Sequence, residues 1–169
     1  MACASARGCY RGDPRPAAPA SMNHEPKIAV LDTNVVLDWL LFGNPQYAEL
    51  QQALTSAALR WVATVEMRDE LTHVLASGRL DRWSPDLPLL GSQWDKHCVE
   101  VPTPPPASHA TRLRCTDADD QKFIDLALAC GARWLLSRDR AVLKLARRAQ
   151  ARGLTIQTPD AWAAANAAG

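Results

Sequence analysis

Asp32 and Asp139 each close a short apolar run, Glu70 lies in the segment that follows another, and Asp119 and Asp120 open the stretch QKFIDLALA. Carboxylates gathered at one place repel one another, and either take up protons or bind a cation. Oxygen-only ligands suit a hard divalent ion such as Mg²⁺ or Mn²⁺, and the sequence offers no His or Cys set suited to zinc. A water beside such an ion becomes acidic enough to attack a phosphodiester.

For that chemistry the acids must meet. Residues 27–32 (KIAVLD) are apolar without alternation, as a strand buried on both faces of a parallel sheet is, and they place Asp32 at the strand's carboxyl end. There the loops of an open α/β sheet diverge into a crevice. The spacing predicts a helix over residues 35–41, capped by Thr33 or Asn34, a turn at Gly43-Asn44-Pro45, and a second helix over residues 46–59. Residues 60–64 (RWVAT) read as a second buried strand, and residues 65–77 as a helix with Met67, Leu71, Val74 and Leu75 facing inward and Glu70 at the margin of that stripe.

Residues 79–88 read as a loop, residues 89–97 as a short helix, and residues 98–106 as an extended segment stopped by prolines. The acids at 117–120 open a helix ending at Gly131, with Asp117 as its N-cap. Residues 133–137 (RWLLS) are a third buried strand leading to Asp139. Over residues 140–152 a single helix is expected, with Arg140, Lys144, Arg147 and Arg148 on one side and Val142, Leu145, Ala146 and Ala149 opposite. Residues 154–158 form a last strand, and Pro159 starts a terminal helix. Strands alternating with helices imply a parallel sheet with right-handed crossovers, covered on both faces.

A length of 169 residues fits one domain, expected over residues 26–165, behind an extension over residues 1–25 that is rich in Ala, Pro, Arg and Ser and expected to be disordered. Met22 is an alternative start to Met1. A formal charge of +1 argues neither for nor against a polyanionic partner, so any nucleic-acid contact must rest on local charge. No apolar run approaches the roughly 18 residues of a membrane span, and the first residues lack a signal peptide's apolar stretch, so a cytoplasmic location is expected. The five cysteines form no C-x-x-C pair and read as reduced thiols.

With these motifs in order, the chain resembles a PIN-domain ribonuclease, of the group that supplies the toxins of toxin-antitoxin pairs. VLDTNVVLDWL resembles the family's opening motif and matches its first acid at Asp32, RDEL matches its Glu at Glu70, and DADDQKFIDLALA followed by RWLLSRD matches its third and fourth acids. The third is Asp120, with Asp119 as second choice; the fourth is Asp139, with Ser137 in the small hydroxyl position before it.

The resemblance implies a PIN-like three-layer α/β/α fold around a parallel sheet of about four to five strands. It also implies a hydrolase that cuts single-stranded RNA internally with one or two Mg²⁺ or Mn²⁺ ions and leaves a 5′-phosphate. Asp32, Asp120 and Asp139 would hold the metal, Glu70 would bind a second ion or orient the water, and Asn34 or Ser137 would orient carboxylates. An antitoxin protein and a homodimer are further implications, although no self-complementary patch is visible.

Other features read more plainly. Acids in first helical turns commonly serve capping and the helix dipole, and Asp38, Asp117 and Asp125 belong to that class. Arg140, Lys144, Arg147 and Arg148, with Arg112 and Arg114, are candidates to track an RNA backbone or are simply solvated. The six tryptophans are mostly spaced as core, and the four histidines are scattered. A phosphatase of the haloacid dehalogenase type would need an acid where Asn34 stands, and no G-x-G-x-x-G follows the first strand. A non-catalytic PIN-like module that binds RNA or protein is the remaining rival.

Overall fold

The computed structural model describes residues 25–106 and 112–166. The expected disordered extension, apart from Glu25, lies outside the described residues, as do Cys3, Cys9, Met22 and His109.

The unalternating apolar runs form the strands of a single parallel sheet: β1 (Lys27–Leu31), β2 (Leu59–Ala63), β3 (Cys98–Glu100), β4 (Trp134–Leu136) and β5 (Thr155–Gln157), in the order β3-β2-β1-β4-β5. Leu31 pairs with Leu136 and Ala29 with Trp61, so β1 is hydrogen-bonded on both edges. Helices α1 (Thr33–Leu40) and α2 (Ala48–Thr55) connect β1 to β2, and α3 (Val65–Ala76) and α4 (Leu87–His97) connect β2 to β3. Helix α5 (Gln121–Ala129) leads into β4, α6 (Arg140–Leu143) and α7 (Ala146–Gln150) join β4 to β5, and α8 (Pro159–Asn166) follows β5. The helices flank the sheet in a three-layer α/β/α sandwich, as expected.

The chain leaves β1 toward β2 and leaves β4 toward β5, on opposite sides of the sheet. Where neighbouring parallel strands send their connections apart, a crevice opens beyond their carboxyl ends. Asp32 and Asp139 are the acids that follow those two strands.

The core is continuous from Ala29, Val30 and Leu31 through Trp61, Leu135 and Ile156 to the inward faces of the helices. Trp61 lies between Trp39 and Trp94, with ring centroids 6.1 and 4.6 Å away, and Trp134 meets Trp162 edge to face. Five of the six tryptophans are thus core, as their spacing predicted, while Trp83 is exposed beside Phe42.

Several boundaries differ from the sequence reading for local reasons. The second helix stops at Thr55 because Ala57 turns to a φ of 56° and Leu59 already belongs to β2. The expected helix over residues 140–152 is two helices, since the Leu145 N–H bonds back to the Val142 carbonyl at 3.0 Å and tightens the turn between them. Val142, Leu145 and Ala149 still form one buried stripe across the break. Asp32, rather than Thr33 or Asn34, caps α1. Asp117 does not cap α5; its Oδ1 accepts the Asp119 N–H at 2.9 Å in a turn upstream, and Asp120 takes the N-cap position. No helix among the described residues is long and apolar enough to cross a membrane.

Candidate active site

Asp32, Thr64 and Ser137 directly follow β1, β2 and β4, and all three are buried. Buried polar side chains say more than exposed ones, because each has given up water. The Asp32 N–H extends the strand pairing to the Leu136 carbonyl at 3.0 Å, which brings its carboxylate beside the end of β4. There Oδ2 accepts from the Ser137 hydroxyl at 2.6 Å and Oδ1 from the Asn34 main-chain N–H at 3.2 Å. Burial nevertheless raises the Asp32 pKa above the ordinary carboxylate value, and the Glu70 and Asp139 charges add to the rise against those two hydrogen bonds.

Ser137 is fully buried, and its Oγ also accepts the Asp139 N–H at 2.9 Å. Asp139 caps α6 through Oδ1, which accepts the Ala141 N–H at 2.6 Å. Asp120 stands at the N-cap of α5 but makes no capping hydrogen bond, so its carboxylate is left for the crevice. Burial first, then the charges of Asp32, Asp139 and Asp117, push its pKa up to about 7, against the lowering effect of Lys122. Glu70 of α3 adds its charge to the rise at Asp32, and its Oε2 lies 2.5 Å from the Lys122 Nζ.

The charges of Glu70 and Asp139 thus act on Asp32, those of Asp32 and Asp139 act on Asp120, and Ser137 links Asp32 to the Asp139 main chain. Asp119 is exposed and engaged through its main chain, its N–H with Asp117 and its carbonyl with Lys122. Asn34 reaches Asp32 through its main-chain amide, while its side chain faces outward. Arg140, Lys144, Arg147 and Arg148 are all exposed, spread over α6, α7 and the turn between them. Arg112 is paired instead with Asp125 at 2.6 Å.

Three features escaped the sequence reading. Lys122 pairs with Glu70 across the helices α5 and α3, and its only local sign was a basic residue two places after Asp120. Thr64 carries a buried hydroxyl with no hydrogen-bond partner at the end of β2. Arg138, between Ser137 and Asp139, donates to Asp38 at 2.7 Å and to Asp160 at 3.5 Å, tying the loop after β4 to α1 and α8.

The donor set fits a divalent cation in kind. Asp32 and Asp120 are both pushed toward holding protons by burial and by neighbouring carboxylates, a strain that a cation would relieve. Among the described residues no three Asp, Glu, His or Cys side chains already close around one point as a ready-made cage.

The family model for the PIN domain matches residues 28–141, well over half of the chain. The chain belongs to the PIN-domain family. No curated protein matches it. The matched part of this PIN domain runs from β1 into α6 and so contains Asp32, Glu70, Asp120 and Asp139. A PIN domain is a nuclease-like fold, in general that of a metal-dependent ribonuclease. In this one, Asp32 and Asp139 follow the neighbouring strands β1 and β4.

Proposed function

We propose that this PIN domain is a divalent-metal-dependent endoribonuclease that hydrolyses single-stranded RNA. The feature that carries the reading is the burial of Asp120 beside the charges of Asp32 and Asp139, which together push its pKa up to about 7. A fold does not keep such carboxylates together for stability, because each charge added there opposes folding.

In this reading Asp32, Asp120 and Asp139 would hold Mg²⁺ or Mn²⁺. When bound, the ion acidifies a water and offsets the charge that builds on the phosphate. The rest falls to side chains of the protein. Ser137 holds Asp32 Oδ2 in one orientation and fixes the Asp139 main chain, so that these two acids keep a set spacing. Asp120, uncommitted to capping, is placed to take or release a proton near neutrality in the metal-free protein. The exposed Arg140, Lys144, Arg147 and Arg148 would neutralise backbone phosphates as the strand lies across α6 and α7.

A wider part of the proposal is that the enzyme works in the cytoplasm as the toxin of a toxin-antitoxin pair, with an antitoxin protein as its partner. The resemblance of VLDTNVVLDWL and RDEL to that group supports it.

Purified protein incubated with mixed single-stranded RNA, with and without Mn²⁺, tests the reading against Asp32→Asn. Cleavage only by the wild type and only with Mn²⁺ is expected. Equal cleavage by Asp32→Asn removes the proposed mechanism, and no cleavage of any RNA leaves a PIN module that binds without cutting.

A further inference from the structure

Lys122 lies in the first turn of α5, where the helix dipole is positive and a cation is disfavoured. It is nonetheless held there by three neighbours. Its Nζ lies 2.5 Å from Glu70 Oε2, donates to the Asp119 carbonyl over 2.6 Å and sits 5.1 Å from the centroid of the Phe123 ring. The Lys122 side chain is only 24 % exposed, so a long and flexible group has given up rotamer freedom to stay in place. What offsets both costs is the field of the surrounding carboxylates, and the Lys122 charge in turn counters the upward push on Asp120.

We infer that the Lys122 ammonium stands in for a second divalent ion, so that this site takes a single ion on Asp32, Asp120 and Asp139 while Glu70 stays paired with Lys122. The inference rests on the metal-dependent reading above and narrows it, since that reading leaves Glu70 either a second ion or the water. A second ion in a two-metal arrangement sits about 4 Å from the first. To use Glu70 it would have to push the ammonium off the carboxylate, away from the Asp119 carbonyl and off the Phe123 face.

Counting Mn²⁺ bound per chain, by titration calorimetry and by the paramagnetic resonance of free Mn²⁺, tests this on the wild type, Lys122→Met and Lys122→Arg. One ion in the wild type and in Lys122→Arg, and two in Lys122→Met, is the expected result. Two ions in the wild type overturn the inference without any reliance on a variant, and leave the metal-dependent reading standing. A count of one in Lys122→Met, with its circular dichroism unchanged, shows that Lys122 is not what keeps the second ion out and likewise overturns it. No uptake by any of the three proteins removes the metal-dependent reading itself, and this inference with it.

Discussion

The Ser137 hydroxyl donates to Asp32 Oδ2 over 2.6 Å and accepts the Asp139 N–H over 2.9 Å, so one buried oxygen couples the acids that follow β1 and β4. Ser137→Ala removes both hydrogen bonds and leaves a buried carboxylate oxygen short of a donor. A stability loss of about 1–3 kcal/mol is expected in urea unfolding. Mn²⁺ affinity should also fall by about 10–100-fold, because the ligands lose the group that orients them. A variant that unfolds earlier but binds Mn²⁺ as tightly as the wild type would separate Ser137 from the site.

The pKa of about 7 at Asp120 makes a prediction about pH in the metal-free protein. Its folded pKa lies above the unfolded value of 3.8, so the folded state holds the proton more tightly. The resulting stabilisation is full below the unfolded pKa and is lost as pH rises through about 7. Asp120→Asn, which carries no charge, should therefore be more stable than the wild type at pH above that value, by about 1–2 kcal/mol once solvent screening is allowed for. The two proteins should converge in acid. Mn²⁺ should favour the wild type and bind it more tightly as pH rises, since protons and metal compete for the same oxygens. Melting curves along a pH series, with chelator and with Mn²⁺, read both effects.

Arg138 ties the Ser137–Asp139 loop to Asp38 of α1 and Asp160 of α8, and the Asp38 carboxylate also accepts from the Tyr47 hydroxyl at 3.1 Å. Arg138 is more than a third exposed, so Arg138→Met should cost only about 0.5–1 kcal/mol of stability. Cleavage should fall by more than that loss accounts for, because the loop carries both Ser137 and Asp139. Steady-state kinetics at a temperature well below the melting point of both proteins is the measurement. An unchanged kcat would assign Arg138 to stability alone.

The exposed cations Arg140, Lys144 and Arg148 lie on α6, on the turn after it and on α7, in the chain segment that begins at Asp139. If they meet RNA phosphates, replacing all three by Gln should weaken binding to unrelated single strands alike. It should also flatten the dependence of log K on log salt by about 2, at about 0.7 for each phosphate left without its cation. Filter binding across a salt series with catalytically blocked Asp32→Asn as the background checks this. A salt slope equal to that of the background protein would return these residues to plain solvation.

Covalent order and local periodicity by themselves determined a good deal of this protein. Unalternating runs such as IAVL and RWLL contain no face for solvent, so they became inner strands, and the helical segments between them forced a parallel sheet with its loops at two edges. Asp32, Glu70, Asp120 and Asp139 fall near one of those edges by chain order alone.

What only the tertiary structure decided is which atoms meet, because that depends on strand register and on the rotation of packed helices. The bond from Ser137 to Asp32 spans 105 residues of sequence and exists because Leu31 pairs with Leu136. The packing of α5 leaves Asp119 exposed and half-buries Asp120, on which the charges of Asp32 and Asp139 act. The same rotation carries Lys122 to Glu70 on another helix. Periodicity along a chain says which side of an element is buried; only packing says what stands opposite.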